Sequence, residues 1–304
     1  MSFNINEIPP QSGRIAIVTG ANDGLGFQTT LALSKTGIKV VMACRNLEKG
    51  KTACEEILRQ VPEASLELSH LDLSKLSSVR AFAEEYTQKH DGLDLLINNA
   101  GIMIPPYEVT EDGFESQLGV NFLAHFLLTG LLLPLLENTP GSRVVSLSSN
   151  AHKNGRINFN DLQSEKKYSA FAAYSQSKLA CLMFSNELQR KLGKAGSKVL
   201  SLAAHPGMSD TNLFKHVPKF VTAIFGGLIR SLMVQSPENG AKPTLYAALG
   251  ADIEGGDYIG PDGWKEWKGE PVKVQGTERS KNTGIAKRLW LASENLTKFK
   301  YQTI

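Results

Sequence analysis

Tyr174 and Lys178 stand four residues apart in the stretch YSQSK, a spacing that could support proton transfer. In a helix, residues at positions i and i+4 are neighbours on one face. An ammonium group beside a phenol stabilises the phenolate, so such a pair can give and take a proton near neutral pH. An ordinary surface pair has the same spacing. The spacing alone therefore leaves both interpretations open, and the surrounding residues must decide.

A glycine-rich stretch near the start of the chain points to a phosphate-bearing ligand. TGANDGLG, residues 19–26, follows a short apolar run and leads into a segment with helical spacing. Gly20, Gly24 and Gly26 allow a sharp turn and a close approach of the backbone to a pyrophosphate, which then sits at the positive N-terminus of the helix. The spacing is G-x-x-x-G-x-G rather than the common G-x-G-x-x-G. We therefore expect a dinucleotide-binding loop of a variant type.

Composition excludes several classes of protein. Hydrophobic residues make up 41% and charged residues 21% of the 304 residues, which is enough apolar material for a sizeable core. The net charge of +3 is mild and no long basic run occurs, so no nucleic-acid partner is expected. The three cysteines are scattered, without a CxxC pair, which favours a reducing compartment and no metal site. We accordingly expect a cytoplasmic protein.

The longest apolar stretch, Phe122–Leu136, raises the question of a membrane span. It is shorter than the roughly 20 residues that a bilayer requires, and it contains His125 and Pro134. The first residues lack a basic stretch followed by an apolar run, so no secretory signal is expected. The sequence predicts a buried helix here and no integral membrane segment.

Short β-branched runs alternate with longer amphipathic segments, which is typical of βαβ units. The predicted strands are 14–19, 39–43, 66–71, 93–97, 143–147 and 198–203, and the predicted helices include 25–35, 46–60, 76–90 and 111–136. The strands are nearly continuous apolar runs, as expected when both faces are buried. The pattern predicts an α/β fold with a doubly wound parallel sheet, Rossmann-like, in a single domain over 1–304. A ligand would lie at the carboxyl ends of the strands.

Seven motifs in a fixed order resemble the short-chain dehydrogenase/reductase family over residues 14–212. They are TGANDGLG at 19–26, LDLS at 71–74, NNAG at 98–101, Asn121 in VNFLAHF, SLSS at 146–149, YSQSK at 174–178 and HPGMSDT at 205–211. The stretches ACRNLEKG, LLINNAGIM and AYSQSKLA resemble sequences of the branch that contains retinol dehydrogenases and light-dependent protochlorophyllide reductases. The resemblance implies seven strands in the order 3-2-1-4-5-6-7.

The resemblance also implies a catalytic tetrad of Asn121, Ser149, Tyr174 and Lys178. Tyr174 would exchange a proton with the substrate oxygen, and Lys178 would tune Tyr174 and hold the nicotinamide ribose. Ser149 would hydrogen-bond the reacting oxygen, although the adjacent Ser148 is an alternative. Asn121 would bind a relay water, or would be a structural amide that kinks its helix. His152 invites a hydrolase interpretation, but no G-x-S-x-G elbow accompanies it.

Further residues are expected to contact the cofactor by the same resemblance. Asp72 would accept from the adenine amino group, or would only stabilise the start of the following helix at Ser74. The complete set comprises Gly20, Asn22, Asp23, Gly24, Leu25, Gly26, Arg45, Asp72, Leu73, Asn98, Ala100, Gly101, Tyr174, Lys178, Pro206, Gly207 and Thr211.

Two adjacent residues decide the expected form of the cofactor. NAD-dependent relatives end the second strand with an acid that binds the adenosine ribose. Here that position is Cys44, and the next residue, Arg45, offers a planar cation suited to a 2′-phosphate. We therefore expect NADP(H), although Asp23 in the glycine loop is an unusual neighbour for a phosphate.

Together these features predict reversible hydride transfer between NADP(H) and a carbonyl or alcohol of a hydrophobic small molecule. A catalytically silent NADP(H)-binding scaffold or redox sensor is the alternative. Residues 208–235, and Phe220–Val234 in particular, are expected to form a substrate lid, although a plain core helix fits the same pattern. The physiological substrate and the oligomeric state, including a homo-oligomer, stay open.

Overall fold

A single sheet of eight strands forms the centre of the computed structural model, which describes residues 3–208 and 235–302. The strands are Ile15–Thr19 (β1), Lys39–Cys44 (β2), Leu66–His70 (β3), Leu95–Asn98 (β4), Arg143–Leu147 (β5), Leu200–Ala204 (β6), Tyr258–Pro261 (β7) and Pro271–Val274 (β8). Their spatial order is β3-β2-β1-β4-β5-β6-β7-β8. The doubly wound α/β fold is therefore confirmed.

The expectation of seven strands was wrong by one. β1 to β7 pair in parallel, but β8 returns antiparallel to β7, with Tyr258 opposite Val274 and Pro261 opposite Pro271. The sequence of β8 is PVKV, too short and too polar to stand out as a strand. Tertiary pairing with β7, rather than local propensity, makes it one.

Helices cover both faces of the sheet. They are Gly24–Lys35 (α1), Leu47–Gln60 (α2), Leu76–Lys89 (α3), Ser116–Glu137 (α4), Ala170–Ala195 (α5), Pro237–Leu249 (α6), Glu278–Lys281 (α7) and Thr283–Thr297 (α8). The alternation of side chains along each strand divides the core in two. Ile17 and Val41 face the layer of α3, α4, α5 and α8, whereas Ala16, Val18 and Val40 face the layer of α1, α2 and α6.

Helix α4 departs most from its predicted bounds. It was expected from Glu111, but it begins at Ser116 because the Glu115 carboxylate accepts from the amides of Gln117 and Leu118 and so caps it. The segment Gly119–Leu123 is a π-helical turn before the regular α-helix resumes at Ala124. Such turns occur mostly as single insertions in α-helices, frequently at functional sites.

Within the described residues, α4 is also the helix whose length and mean hydropathy would suit a membrane span. Its apolar window is 78% buried inside the fold, where it packs beside α3 and under the C-terminal residues. The apolar stretch that the sequence predicted to be a buried helix therefore forms part of the core. The predicted lid at Phe220–Val234 lies outside the described residues.

Aromatic side chains from the C-terminal part of the chain close the layer over α4 and α5. The Tyr301 ring lies 5.0 Å from Phe126 and 4.6 Å from Trp290 between centroids. Its hydroxyl donates to the Phe126 carbonyl oxygen at 2.7 Å in a buried position. A buried ring with a satisfied hydroxyl contributes both apolar burial and a hydrogen bond.

We expect Tyr301→Phe to lower the free energy of unfolding by about 1 kcal/mol, because it removes this hydrogen bond and keeps the ring. Tyr301→Ala should cost about 3–5 kcal/mol, since it also leaves a cavity. Urea unfolding would measure both, with Lys300→Ala at the exposed neighbouring position as control. Equal stability of all three variants would contradict this account of the aromatic layer.

Candidate functional site

The glycine loop between β1 and α1 has no room for a side chain at Gly26. A Cβ at Gly26 would lie 2.2 Å from the Gly20 carbonyl oxygen, and Gly20 has a φ of 66°, which favours glycine. Asp23 caps α1, its Oδ1 accepting from the Gly24 amide at 2.8 Å. The loop thus brings main-chain amides and a helix N-terminus to one edge of the sheet, an arrangement that suits a pyrophosphate.

A cleft of about 700 Å³ opens at this edge. Its lining residues come from the glycine loop, from the ends of the neighbouring strands and from the segment after β4. They include Gly20, Asn22, Asp23, Arg45, Leu73 and Gly101. Apart from Asn98, the predicted cofactor residues of the first half of the chain therefore border one continuous space, and its volume accommodates a dinucleotide-sized ligand.

Cys44, the last residue of β2, and Arg45, which follows it, differ sharply in exposure. Cys44 is fully buried, while Arg45 is exposed and borders the cleft. Burial raises the pKa of the Cys44 thiol to about 12, against the opposing contacts of the Ala21 and Asn22 amides. The neutral thiol therefore supports the glycine loop from below, and Arg45 is the cation that faces solvent at the cleft.

Asp72 bonds within its own turn. One oxygen, Oδ1, accepts from the Ser74 amide at 3.0 Å and from the Ser74 hydroxyl at 2.7 Å. These contacts hold the turn that lines the cleft with Leu73, but the alternative that placed a helix start at Ser74 was wrong, because α3 begins at Leu76. α3 itself is capped from elsewhere, because the Leu76 amide donates to Asp112 at 2.8 Å.

The NNAG segment divides between the sheet and the cleft. Asn98, predicted to contact the cofactor, is 3% exposed, and its amide nitrogen donates to the Thr129 hydroxyl at 3.0 Å. Asn99, the next residue, borders the cleft instead, and its Nδ2 donates to the Thr19 carbonyl at 2.7 Å. The sheet-stabilising part of this motif thus lies in Asn98, and the cleft begins one residue later.

A buried histidine organises the same segment from behind. His125 Nδ1 lies 3.0 Å from the Asn121 carbonyl oxygen, which can only accept, so Nδ1 carries the proton. Burial lowers the pKa of His125 to about 4, so the ring is neutral and Nε2 accepts from the Thr19 hydroxyl at 3.0 Å. That hydroxyl in turn accepts from the Asn99 and Ala100 amides at 3.0 and 2.9 Å. The chain of bonds joins α4, β1 and the NNAG turn.

Asn121 lies in the π-helical turn of α4, and its side chain is well bonded. Oδ1 accepts from the Ile102 amide at 2.8 Å, and Nδ2 donates to the Ile102 carbonyl and the Ser177 hydroxyl at 3.0 and 2.9 Å. Both amide hydrogens are therefore used within the protein. The side chain therefore joins α4 to the segment after the NNAG turn and to α5, and its relay-water and helix-kinking roles both stay predictions.

Tyr174 and Lys178 share a buried face of α5, as their spacing predicted. Their relative exposures are 7% and 6%, and Lys178 Nζ lies 5.9 Å from the centre of the Tyr174 ring. The Lys178 ammonium donates to the Leu147 carbonyl oxygen at 3.0 Å, at the end of β5. A Cβ at Gly101 would lie 3.1 Å from Asn121 Oδ1 and 3.4 Å from Lys178 Nζ, so the NNAG turn closes directly over this group.

Ser148 and Ser149 point to different surroundings. The Ser148 hydroxyl is buried and donates to the Lys178 carbonyl oxygen at 2.8 Å. Ser149 is half-buried, and its Oγ accepts from the Ala151 amide at 3.2 Å. The accessible hydroxyl therefore belongs to Ser149. His152 bonds the Ser149 carbonyl through Nδ1 at 2.7 Å rather than the hydroxyl, an arrangement unlike that of a hydrolase.

The segment after β6 carries the remaining predicted cofactor residues. Pro206 and Gly207 follow His205 directly, and Gly207 has a φ of 65°. A Cβ at Gly207 would lie 2.3 Å from the Trp267 carbonyl oxygen, so the turn packs closely against the β7–β8 loop. Thr211 lies outside the described residues. Residues 3–208 and 235–302 contain no group of three or more His, Cys, Asp or Glu side chains that could hold a metal ion.

Sequence and structure comparisons identify the family. The family model for short chain dehydrogenase matches residues 14–221. The chain is 41% identical over 295 residues to human retinol dehydrogenase 13, covering 93% of this chain and 84% of the relative. It is also 41% identical over 296 residues to mouse polyprenol dehydrogenase, covering 95% and 85%. The chain belongs to the short-chain dehydrogenase/reductase family, in the branch similar to retinol dehydrogenases.

A solved structure has the same fold over almost the whole chain. The crystal structure of a putative uncharacterized protein from Mycobacterium paratuberculosis superposes with a TM-score of 0.83 at 42% identity. It covers 99% of this chain and 100% of its own. The shared architecture agrees with the site geometry, in which the family motifs meet at the carboxyl ends of the strands.

Sequence reasoning missed residues that act through others. Thr19 and His125 lie within motifs, but their roles depend on contacts between positions far apart in the chain. The signal for His125 was a polar residue inside an apolar helix, which requires a buried partner. Lys153 and Glu266, whose atoms lie 3.0 Å apart, carried no signal of their own.

The buried neutral histidines predict a pH-dependent stability. Burial lowers the pKa values of His125 and His152 to about 4, below the ordinary histidine value. The unfolded chain then binds more protons than the native protein between these values, so stability falls as the pH falls from 6.5 towards 4. Between pH 7 and pH 5, each histidine should cost about 2 kcal/mol of unfolding free energy.

Urea unfolding at both pH values would test this prediction. His152→Gln should remove about 2 kcal/mol of the difference between pH 7 and pH 5, whereas His70→Gln, at an exposed position, should not change it. An equal pH difference in wild type and His152→Gln would show that His152 is not held neutral in the native state.

Proposed function

We propose that the protein transfers a hydride reversibly between NADP(H) and a lipophilic alcohol or carbonyl compound. The observation that carries this proposal is the contact of Lys178 with the Leu147 carbonyl, two residues before Ser149. This contact fixes the helix that bears Tyr174 against the end of β5, two residues before Ser149, beside the cleft of the glycine loop. The proposed role of each residue follows from that placement.

In the proposed mechanism, Ser149 and Tyr174 hydrogen-bond the oxygen of the reacting substrate. Tyr174 gives its proton to this oxygen during carbonyl reduction and accepts it during alcohol oxidation. Lys178 stabilises the phenolate form of Tyr174, since a charge held in a buried site acts strongly on its neighbour. The bound nicotinamide supplies or accepts the hydride. The glycine loop and the NNAG turn orient the cofactor.

The relatives' names and the rim of the site support a lipophilic substrate. Retinol and polyprenol are long isoprenoid alcohols, and relatives named for them are about 41% identical to this chain. At the segment after β4, Pro105 borders the cleft, and its carbonyl accepts from the Tyr168 hydroxyl at 2.8 Å. The Tyr168 ring lies 5.1 Å from the Tyr107 ring between centroids, and Tyr107 and Phe171 are 42% and 49% exposed. Exposed aromatic side chains at a site suit an apolar ligand. We therefore propose an isoprenoid or other long-chain alcohol.

NADP(H) is proposed over NAD(H) because Arg45 is the exposed cation at the end of β2. Cys44, the last residue of β2, is buried and cannot itself contact a 2′-phosphate. Lys75, which also borders the cleft, is paired with Glu111 at 2.6 Å. A guanidinium offers two parallel donors to a phosphate, which makes Arg45 the stronger candidate.

A panel of long-chain and isoprenoid alcohols and aldehydes would test the proposal. With at least one member of the panel, we expect the absorbance of NADPH to change as it is formed or consumed. The same compound should give a much smaller change when NADH replaces NADPH as the cofactor. NADPH binding without turnover of any member would favour the alternative, a catalytically silent scaffold or redox sensor. Absence of binding by either dinucleotide would exclude both.

The first variant to test is Tyr174→Phe, which removes the phenolic proton and keeps the ring. Turnover should fall at least a hundredfold, within the range of general acid–base catalysis, while the dissociation constant for NADPH stays within about twofold. Stopped-flow or steady-state absorbance would measure turnover, and fluorescence titration would measure binding. A variant that keeps a tenth or more of wild-type turnover in a chemistry-limited reaction would exclude the acid–base role.

The second variant is Arg45→Ala, which removes the proposed phosphate contact. A charge-assisted hydrogen bond contributes about 1.5–3 kcal/mol, so kcat/KM for NADPH should fall roughly ten- to a hundredfold and that for NADH little. Arg59→Ala, at an exposed position of α2, is the matched control. An equal effect of Arg45→Ala on both dinucleotides, or wild-type use of NADH as readily as NADPH, would contradict the assignment.

A further inference from the structure

A charged cluster lies behind the carboxyl ends of β5 and β6. His205 is fully buried, and its Nε2 lies 3.1 Å from Glu266 Oε2. The other carboxylate oxygen, Oε1, lies 3.0 Å from Lys153 Nζ. The Glu266 carboxylate thus lies between His205, which precedes Pro206, and Lys153, which follows Ser149 by four residues.

The proton on His205 can be placed from its second nitrogen. The Gly207 amide donates to Nδ1 at 3.3 Å, so Nδ1 carries no proton. Burial lowers the pKa of His205, against the opposing effect of Glu266, so the ring is neutral. Its single proton is therefore on Nε2, on the side of the Glu266 carboxylate. The pair is at ion-contact distance but is not aligned as a hydrogen bond.

The imidazole and the turn that it supports pack closely against β7 and the β7–β8 loop. A Cβ at Gly260 of β7 would lie 2.0 Å from His205 Nε2. On the other side, the Met208 amide donates to the Trp267 carbonyl at 2.7 Å. The ring is thus confined by β7, and the Pro206–Gly207 turn is confined by the loop that carries Glu266. A change in the conformation of that loop must therefore displace the Pro206–Gly207 turn.

The backbone around Glu266 is itself unusual. Lys265 and Glu266 have φ angles of 51° and 58°, two consecutive non-glycine residues in the left-handed region. Asn150 Nδ2 donates to both of their carbonyl oxygens, at 3.2 and 3.0 Å. Residues held in such conformations cluster at functional sites. The segment after Ser149 therefore holds an unfavourable turn that aims Glu266 at His205.

We propose that Glu266 is a positioning residue for hydride transfer, which acts through His205 on the Pro206–Gly207 turn. The inference rests on the proposed function and on the family resemblance, which implies that Pro206 and Gly207 belong to the motif that faces the nicotinamide carboxamide. Lys153 balances the charge of Glu266. His152 and Tyr258 are the other titratable groups of the cluster, and the Tyr258 ring lies 5.2 Å from that of His205 between centroids.

Glu266→Ala tests the proposal through a split between the two halves of the cofactor. We expect kcat to fall at least tenfold and NADPH affinity at least threefold, because the nicotinamide is no longer held in place. The affinity for 2′,5′-ADP, which has no nicotinamide, should stay within twofold of wild type. Glu266→Gln should be intermediate, since it keeps a polar side chain of the same size beside Nε2 but loses the negative charge. Glu270→Gln, at the exposed ion pair with Lys242 in the same loop, should match wild type.

Several outcomes would overturn the role of Glu266. One is an unchanged kcat in Glu266→Ala, and another is an equal loss of affinity for NADPH and 2′,5′-ADP, which indicates general damage to the fold. Nitrogen NMR of His205, assigned with His205→Gln, adds a test without cofactor: a proton on Nδ1 in the wild type would also overturn it. Each of these outcomes would be observed while the wild-type protein is active. A wild type that neither binds nor oxidises NADPH would instead overturn the proposed function itself.

Discussion

The site is organised around a buried ammonium group. Lys178 is 6% exposed, and a cation in such a position is costly unless hydrogen bonds surround it. The Leu147 carbonyl accepts one of its protons at 3.0 Å, and Gly101 and Asn121 lie against it from the NNAG turn and α4. Satisfying this one charge requires β5, α5 and α4 to meet at a fixed separation. The positions of Ser149 and Tyr174 follow from that requirement.

Polar networks on the two sides of the ammonium use neutral histidines in the same way. His125 joins α4 to β1 through its Nδ1 proton and its Nε2 lone pair, and His205 joins the Pro206–Gly207 turn to Glu266 with the two nitrogens reversed. In each ring, a hydrogen bond with a backbone group determines which nitrogen carries the proton, and burial disfavours protonation of the other nitrogen. Each ring therefore connects a donor to an acceptor at a set distance, which a flexible side chain would not do.

Local patterns were sufficient for the features that depend on neighbours in sequence. The apolar runs predicted β1 to β6 to within two residues at each end, and the glycine spacing of 20, 24 and 26 placed the dinucleotide loop between β1 and α1. The four-residue spacing of Tyr174 and Lys178 predicted their common face. The bounds of α4 failed because the Glu115 cap and the π-helical turn depend on single hydrogen bonds that periodicity does not reveal.

Features that depend on distant residues could not be predicted in this way. β8 is a strand because β7 pairs with it, and Asn99 rather than Asn98 borders the cleft because β4 extends one residue further than predicted and includes Asn98. The Glu266 contact joins two segments that have no common pattern in the sequence. Motifs identify which residues are needed at a site, whereas the residues that hold them are chosen by packing across the sheet.

The close fit of the His205 ring against Gly260 also constrains how this chain can diverge. With a Cβ at Gly260 falling 2.0 Å from Nε2, no side chain can appear at that position while the imidazole is present. A smaller residue at 205 must come first, and it would leave Glu266 without its buried partner. Substitutions at these three positions are therefore accessible only in a restricted order, and homologous chains should change them together.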